Sequence, residues 1–331
     1  MSRGTLSIVS TIDVACFGEI LWDLYEVEGK AEKEAGGKNL RRELGGASAN
    51  VAVGLAKLGI ASSVIGGVGD DRLGAALAAQ LEADGVSTSH VVKIKGTRTG
   101  ITIVSRDATG HASYIPYRQG TADFALTESH VTAGMAKAKI GIVSTTSMLP
   151  SVRPATEKFL AALEKAKGFL FVDLNVRAHL WNDTDALKAA AKDLVKNASV
   201  VKGSERDFGA LAGKRGMSWL EENAKQATWL LTRGENGAAA VGAHGQITCP
   251  TKRVRCVDRA GGGDAFVAGV IATLVKAGAK PGNAEWKDPK VWTKALELGH
   301  LIAAKVVAAV GATSGLVGLD DAKARLASKK A

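Results

Sequence analysis

Short runs of β-branched and other apolar residues alternate with longer alanine-rich stretches along most of the chain. Residues 13–18, 62–66, 140–144, 169–173, 199–202 and 228–232 read as strands. Their near-continuous apolar character fits strands covered on both faces. Between them, 50–58, 73–84, 154–166 and 185–196 carry helix formers, and Gly59 and Gly85 end the first two. This alternation predicts an α/β fold, a doubly wound and mostly parallel sheet with helices on both faces.

Two stretches break the rhythm. Residues 21–44 alternate and then turn into a polar Lys/Glu/Gly segment. Residues 91–119 hold Thr99–Val104, a glycine-containing turn over 106–110, and His111–Tyr117. Period-two alternation about a short turn predicts antiparallel hairpins. We expect a small β-sheet lid built from 19–46 and 92–120, over a core of 12–18, 47–91 and 121–331. Such a lid would exclude water from a transfer site. A surface sheet with no such role is the alternative.

The chain has 331 residues, 46% hydrophobic and 23% charged, as in ordinary globular proteins. No run approaches the roughly 18 apolar residues of a membrane span. The first 13 residues lack the pattern of a secretory signal. A cytoplasmic protein without a membrane partner is expected. Cys16, Cys249, Cys256 and the six histidines show no metal-ligand spacing, so the cysteines read as reduced. The net charge of +10 raises the question of nucleic acid. The lysines are dispersed, however, and only 5% of residues are aromatic. The densest basic patch, Lys323, Arg325, Lys329 and Lys330, reads as a solvated helix end. No nucleic-acid partner is expected, and the positive field favours anionic substrates such as nucleotide phosphates.

The sharpest chemical signal is Asp258-Arg259-Ala260-Gly261-Gly262-Gly263-Asp264, which leads into the apolar run 265–271. Glycines let the backbone turn and approach a ligand. A helix start there presents unpaired amides and a positive dipole end, which suits an anion. A carboxylate beside an anion cradle is a poor binder but a good base for an attacking hydroxyl. Phosphoryl transfer to an alcohol fits this pairing; a loop with Asp264 as a plain helix cap is the other reading. Further polar clusters follow strands: Asp23, Gly45-Gly46-Ala47-Ser48-Ala49-Asn50, Asp173-Leu174-Asn175-Val176-Arg177, and Thr232-Arg233-Gly234-Glu235-Asn236-Gly237. Strand C-termini are where α/β sheets bind ligands.

Taken in series with Gly67-Val68-Gly69-Asp70-Asp71-Arg72-Leu73-Gly74, these motifs make the chain resemble the ribokinase-like (PfkB) carbohydrate kinases over residues 12–315. No Walker A pattern occurs, and Gly67-x-Gly69 lacks the third glycine of a dinucleotide fingerprint. The resemblance implies ATP with Mg²⁺, possible activation by K⁺, and a sugar as the small-molecule partner. It implies Asp264 as catalytic base, Gly261, Gly262 and Gly263 as the anion hole, and Arg177 near the phosphates. Asp23, Gly45, Gly46, Asn50 and the lid residue Arg118 would bind sugar. Thr232, Gly234, Gly237 and Ser204 would lie at the nucleotide, and Asp207 would organise Mg²⁺ through water. Lid sheets that pair between subunits make a homodimer the expected assembly.

The sequence departs from the family pattern at Arg259-Ala260, where a small residue is usual, which puts the monovalent-cation loop at Asp258 in question. Arg259 would instead add positive charge near the nucleotide. Ser204-Glu205-Arg206-Asp207 stands for the family's Asn-x-x-Glu; an exposed acid at a helix start is the plainer reading of Asp207. Gly18–Asp23, Asp173–Arg177 with Leu180-Trp181, and Tyr117-Arg118 look most like fructokinases. Ketodeoxygluconate kinases follow, with Arg118 meeting a sugar-acid carboxylate; ribokinases and nucleoside kinases fit less well. A sugar sensor without transfer activity is the competing class. An NAD-dependent oxidoreductase is disfavoured by the missing fingerprint.

Overall fold

The computed structural model describes residues 12–27, 39–106, 112–223, 226–316, 319–320 and 322–323. The polar segment 28–38, turn residues 107–110 and basic residues Arg325, Lys329 and Lys330 lie outside these.

Apolar strands with both faces covered build the main sheet. In β1 (Val14–Phe17), Val14 and Cys16 join one core cluster, while Ala15 and Phe17 join the other. The same division separates Ile142 from Val143 in β8 (Ile140–Ser144), Phe171 from Val172 in β9 (Phe169–Asp173), and Val200 from Val201 in β10 (Val200–Ser204). With β4 (Ser62–Gly69), β5 (Val91–Ile94), β11 (Thr228–Thr232), β12 (Ala238–Gly242) and β13 (Gly245–Cys249), they form a nine-stranded sheet in the order β13-β12-β11-β10-β9-β8-β1-β4-β5. Pairing is parallel from β11 to β5. The β12–β13 hairpin adds an antiparallel edge, which the strand–helix rhythm did not predict.

One face is covered by α1 (Ala47–Lys57), α2 (Arg72–Ala83), α7 (Gly262–Ala277) and α9 (Pro289–Val307), the short α8 (Ala284–Lys287) lying just before α9. The other is covered by α3 (Arg153–Lys165), α4 (Thr184–Val195), α5 (Glu205–Ala212) and α6 (Gly216–Asn223). The most apolar helix, α7, is buried continuously from Ala265 to Leu274. It lies against α1 and α9 at glycines: a Cβ on Gly54 would come 2.7 Å from that of Ala268, and one on Gly269 would lie 2.7 Å from the Gly299 Cα. No described helix is long and apolar enough to cross a membrane.

The second sheet has four strands in the order β3-β2-β6-β7: β2 (Leu21–Val27), β3 (Asn39–Gly45), β6 (Ile101–Arg106) and β7 (Ala112–Tyr117). The β2–β3 and β6–β7 pairs are antiparallel hairpins, joined through parallel β2–β6 pairing. Residues 92–94, expected in the lid, instead belong to β5, which extends the main sheet by pairing with β4. The sequence motif Gly67-x-Gly69 falls in β4, where a Cβ on Gly67 would meet the Ala122 carbonyl at 2.2 Å and one on Gly69 the Thr99 nitrogen at 2.4 Å. These glycines admit neighbouring backbone rather than a ligand.

Candidate active site

Helix α7 follows its cap residue Gly261, whose φ of 71° is left-handed, and no side chain among the described residues caps that end. Left-handed backbone strains any residue with a Cβ, and a Cβ here would also strike the Ala312 carbonyl oxygen at 2.4 Å. The turn is held from behind by Asp258, whose Oδ1 accepts from the Ala260 amide and Oδ2 from the Gly311 amide, both at 3.0 Å. The capping reading of Asp264 fails, because Gly261 is the cap and Asp264 lies inside the first turn.

Asn50, buried in the first turns of α1, donates from Nδ2 to Asp264 Oδ2 at 2.8 Å. Its Oδ1 is buried and has no hydrogen-bond partner among the described residues. A buried orphan acceptor beside an acid points to a donor from outside the protein. Burial lifts the Asp264 carboxyl above the ordinary carboxylate range, against the pull of the Asn50 hydrogen bond and the charges of Lys202 and Arg177. A base raised toward working pH is better matched to taking a hydroxyl proton.

Lys202 was not singled out by the motifs. It lies on β10, its ammonium buried and paired with Asp173 Oδ1 at 3.0 Å. A Cβ on Gly263 would come 3.2 Å from Lys202 Nζ, so a positive charge sits against the glycine turn. The signal was a lysine inside the buried run Val200–Ser204. Asp173, which opens the polar cluster after β9, is held by this pair, and burial pushes its carboxyl up to about 6. Arg177 is exposed after β9, and its charge acts on both Asp264 and Glu19, so it faces the same cleft.

The residues expected to bind sugar converge where the second sheet joins the core. Asp23, on β2, is pushed up to about 7 by burial and by neighbouring acids, Glu19 first. Gly45 leaves room for that carboxylate: a Cβ would lie 2.7 Å from Asp23 Oδ2. Gly46 has φ of 95° and leads into α1. Arg118 does not project freely into the cleft as expected of a sugar-binding arm. Its Nε donates to Asp123 Oδ2 at 2.8 Å, and its Nη2 bonds Glu19 and Asp123. Glu19 and Asp123, its two partners, are further site residues the motifs did not isolate.

Ser204 and Thr232 pair across β10 and β11, and Gly234 (φ 55°) and Gly237 (φ 85°) turn the chain just beyond. Gly237 needs its glycine, since a Cβ would meet the Cys249 carbonyl at 2.3 Å. These nucleotide candidates line the strand ends of β10 and β11. Asp207 is buried, contrary to an exposed acid. Its Oδ1 accepts from the Val176 amide and Oδ2 from the Ser204 amide, both at 2.8 Å, closing a reciprocal cap with Ser204 on α5. Both oxygens therefore already serve the fold. No group of three or more His, Cys, Asp or Glu among the described residues is arranged to hold a metal ion.

A base at an uncapped helix start, an amide partner, a buried ammonium and an acid-rich lid root suit transfer of an anionic group to a polyol. Comparison with known proteins agrees. A family model described as pfkB family carbohydrate kinase matches residues 11–317. The fructokinase of Escherichia coli is 31% identical over 277 residues, 82% of this chain and 88% of that protein. Fructokinase-1 of Oryza sativa subsp. japonica is 30% identical over 274 residues, 80% of this chain and 83% of that protein. The structure of Vibrio cholerae fructokinase with fructose, ADP and calcium ion is similar with TM-score 0.81 and 26% identity, over 96% of this chain and 99% of that one. That of Xylella fastidiosa fructokinase with bound ATP gives TM-score 0.80 and 25% identity, over 92% and 94%.

Proposed function

The chain belongs to the pfkB family of carbohydrate kinases, and from that membership we propose an ATP-dependent fructokinase, which moves the terminal phosphoryl group of ATP to a fructose hydroxyl. The observation that carries this is Asp264 in the first turn of α7, bonded to Asn50 at 2.8 Å beside the glycine turn. Asp264 takes the proton as the sugar oxygen attacks phosphorus. The amides of Gly261, Gly262 and Gly263, with Lys202 behind them, stabilise the charge gathering on the transferred group. Asn50 Oδ1 and Asp23 accept sugar hydroxyls, Arg177 faces the phosphates, and Ser204, Thr232, Gly234 and Gly237 flank the nucleotide.

Magnesium commonly binds through one or two carboxylates and substrate phosphates, which suits a site without an acidic cage. Asp207, or Asp173 if released from Lys202, would hold its waters; the ion's contribution is neutralisation of phosphate charge. For K⁺, the Asp258 loop is the candidate, although both carboxylate oxygens already accept backbone amides.

The acceptor is a neutral sugar rather than ketodeoxygluconate. Arg118, the arginine that would pair with a sugar-acid carboxylate, is already shared by Glu19 and Asp123. The exposed lid residues Leu40, Tyr114, Ile115 and Tyr117 support a homodimer through the lid; a sedimentation mass of one chain would contradict it. ATP consumption measured with fructose, ketodeoxygluconate, ribose and adenosine tests the assignment. Fructose should show the highest kcat/KM. Faster turnover of ketodeoxygluconate would overturn the acceptor, and no sugar-dependent ATP consumption would favour the sensor.

A further inference from the structure

The chain passes between core and lid at 18–20 between β1 and β2, at Gly46 between β3 and α1, at 95–100 between β5 and β6, and again after β7. One buried ion cluster touches each of these crossings. Arg118 follows β7, and Glu19 precedes β2; their side chains are 8% exposed, and that of Asp123 is 0% exposed. Glu19 also reaches the crossing at Gly46, its Oε1 lying 3.5 Å from the Ala47 amide that opens α1. Asp123 backs the remaining one: a Cβ on Gly100 would lie 2.6 Å from Asp123 Oδ1. The Thr121 hydroxyl donates to that same Oδ1 at 2.6 Å, and the Phe124 ring lies 4.2 Å from the Arg118 guanidinium carbon. The forked guanidinium is thus enclosed on its aromatic face and shared between acids from opposite ends of the lid insertion.

We propose that Arg118 is a positioning residue that locks the lid to the core through Glu19 and Asp123. It sets the mouth of the sugar site without binding the sugar. A guanidinium can hold two carboxylates at once because its donors lie in a fixed plane. Without it, two buried acids lose their counter-charge close to Asp23, and the lid root is driven apart. The effect reaches the chemistry along a short path. Glu19 meets the first residue of α1, and Asn50, in that same first turn, holds Asp264.

The proposal rests on the kinase reading only for its kinetic readout. Amide hydrogen exchange of β2 and β6 in sugar-free protein, with fructose kinetics, tests it in Arg118→Gln and in Arg118→Gln/Asp123→Asn. A lock predicts at least roughly tenfold faster lid exchange in the single variant and a kcat/KM loss on the order of 100-fold, with ATP affinity preserved. Removing the orphaned acid in the double variant should recover about tenfold of that loss. An arginine that bound the sugar directly would leave lid exchange unchanged and give no recovery; either result overturns the lock. Arg118→Lys, which keeps the charge and loses the fork, carries the exchange test if the Gln variant does not fold, and unchanged exchange in it counts equally against the proposal. If wild-type protein phosphorylates no sugar, the fructokinase reading fails while the exchange comparison still decides the lock.

Discussion

Placing a methyl group on Gly261 attacks the proposed anion site without touching a charged residue. The native φ of 71° costs an alanine about 1–2 kcal/mol. The new Cβ would lie 2.4 Å from the Ala312 carbonyl oxygen and 2.6 Å from the Ala312 Cα, both backbone atoms that no rotamer change can withdraw. Nor can segment 311–312 easily recede, since the Gly311 amide is bonded to Asp258 Oδ2 at 3.0 Å and Ala312 is buried. The glycine turn is what yields. Its amides then lose their aim at the transferred group, and one lost donor of this kind costs about 10²–10³ in rate, or roughly 3–4 kcal/mol. Gly261→Ala should therefore lower kcat by about 100-fold or more at saturating fructose and ATP, with a few degrees lost in Tm and ATP affinity changed only a few-fold. Steady-state kinetics, nucleotide titration and a melting curve read these quantities. A variant within threefold of wild-type kcat would refute the anion-hole reasoning.

Asp264→Asn keeps the side-chain volume and removes the base, so kcat should fall by about 10²–10⁴ while ATP still binds; full sugar-dependent ATP consumption would overturn the base. Asp23 should report through pH: its carboxyl is pushed up to about 7 from an ordinary 3.8, so between those values the folded chain holds a proton that the unfolded chain releases. Stability from this group falls as pH rises through the window. Asp23→Asn should therefore raise Tm at pH 8 and do so less at pH 5, and equal shifts at both would contradict the burial argument. Lys202→Met leaves the Asp173 carboxyl buried without its partner, at a cost of about 3–5 kcal/mol in urea unfolding. Adding Asp173→Asn should restore part of it; no recovery would mean the two groups are not coupled.

Much of the architecture was legible because these strands are buried on both faces and their sequences say so. The runs ending at Ser144, Asp173 and Thr232 coincide with β8, β9 and β11. The β12–β13 hairpin was not legible: Ala238–Gly242 is alanine and glycine with one valine, which carries little strand signal. β5 was drawn into the lid because four residues between polar segments do not show which sheet they join. At the site, the order of glycines and acids located the start of α7 and Asp264 within its first turn. What they hid were partnerships. Lys202 reads as one apolar-strand lysine until Asp173 is placed beside it on the next strand, with Lys202 opposite Asp173 in register. Arg118 reads as a lid arginine free to bind a ligand until Glu19, 99 residues earlier, takes its Nη2. Asp207 reads as an organiser of Mg²⁺ water, or as an exposed helix-start acid, until Val176 and Ser204 claim its two oxygens. Charge neutralisation between distant segments leaves no local trace in a chain.

At Gly269 and Gly299, α7 and α9 touch backbone to backbone, with no side chain between them to act as a cushion. Interiors packed this tightly have little compliance. The helix that bears Asp264, the proposed base, is thus wedged in place, and any movement of the proposed reaction falls to the lid side of the cleft. Enlarging either glycine would tilt the reactive end from more than a full helical turn away, an injury no sugar or nucleotide concentration could repair.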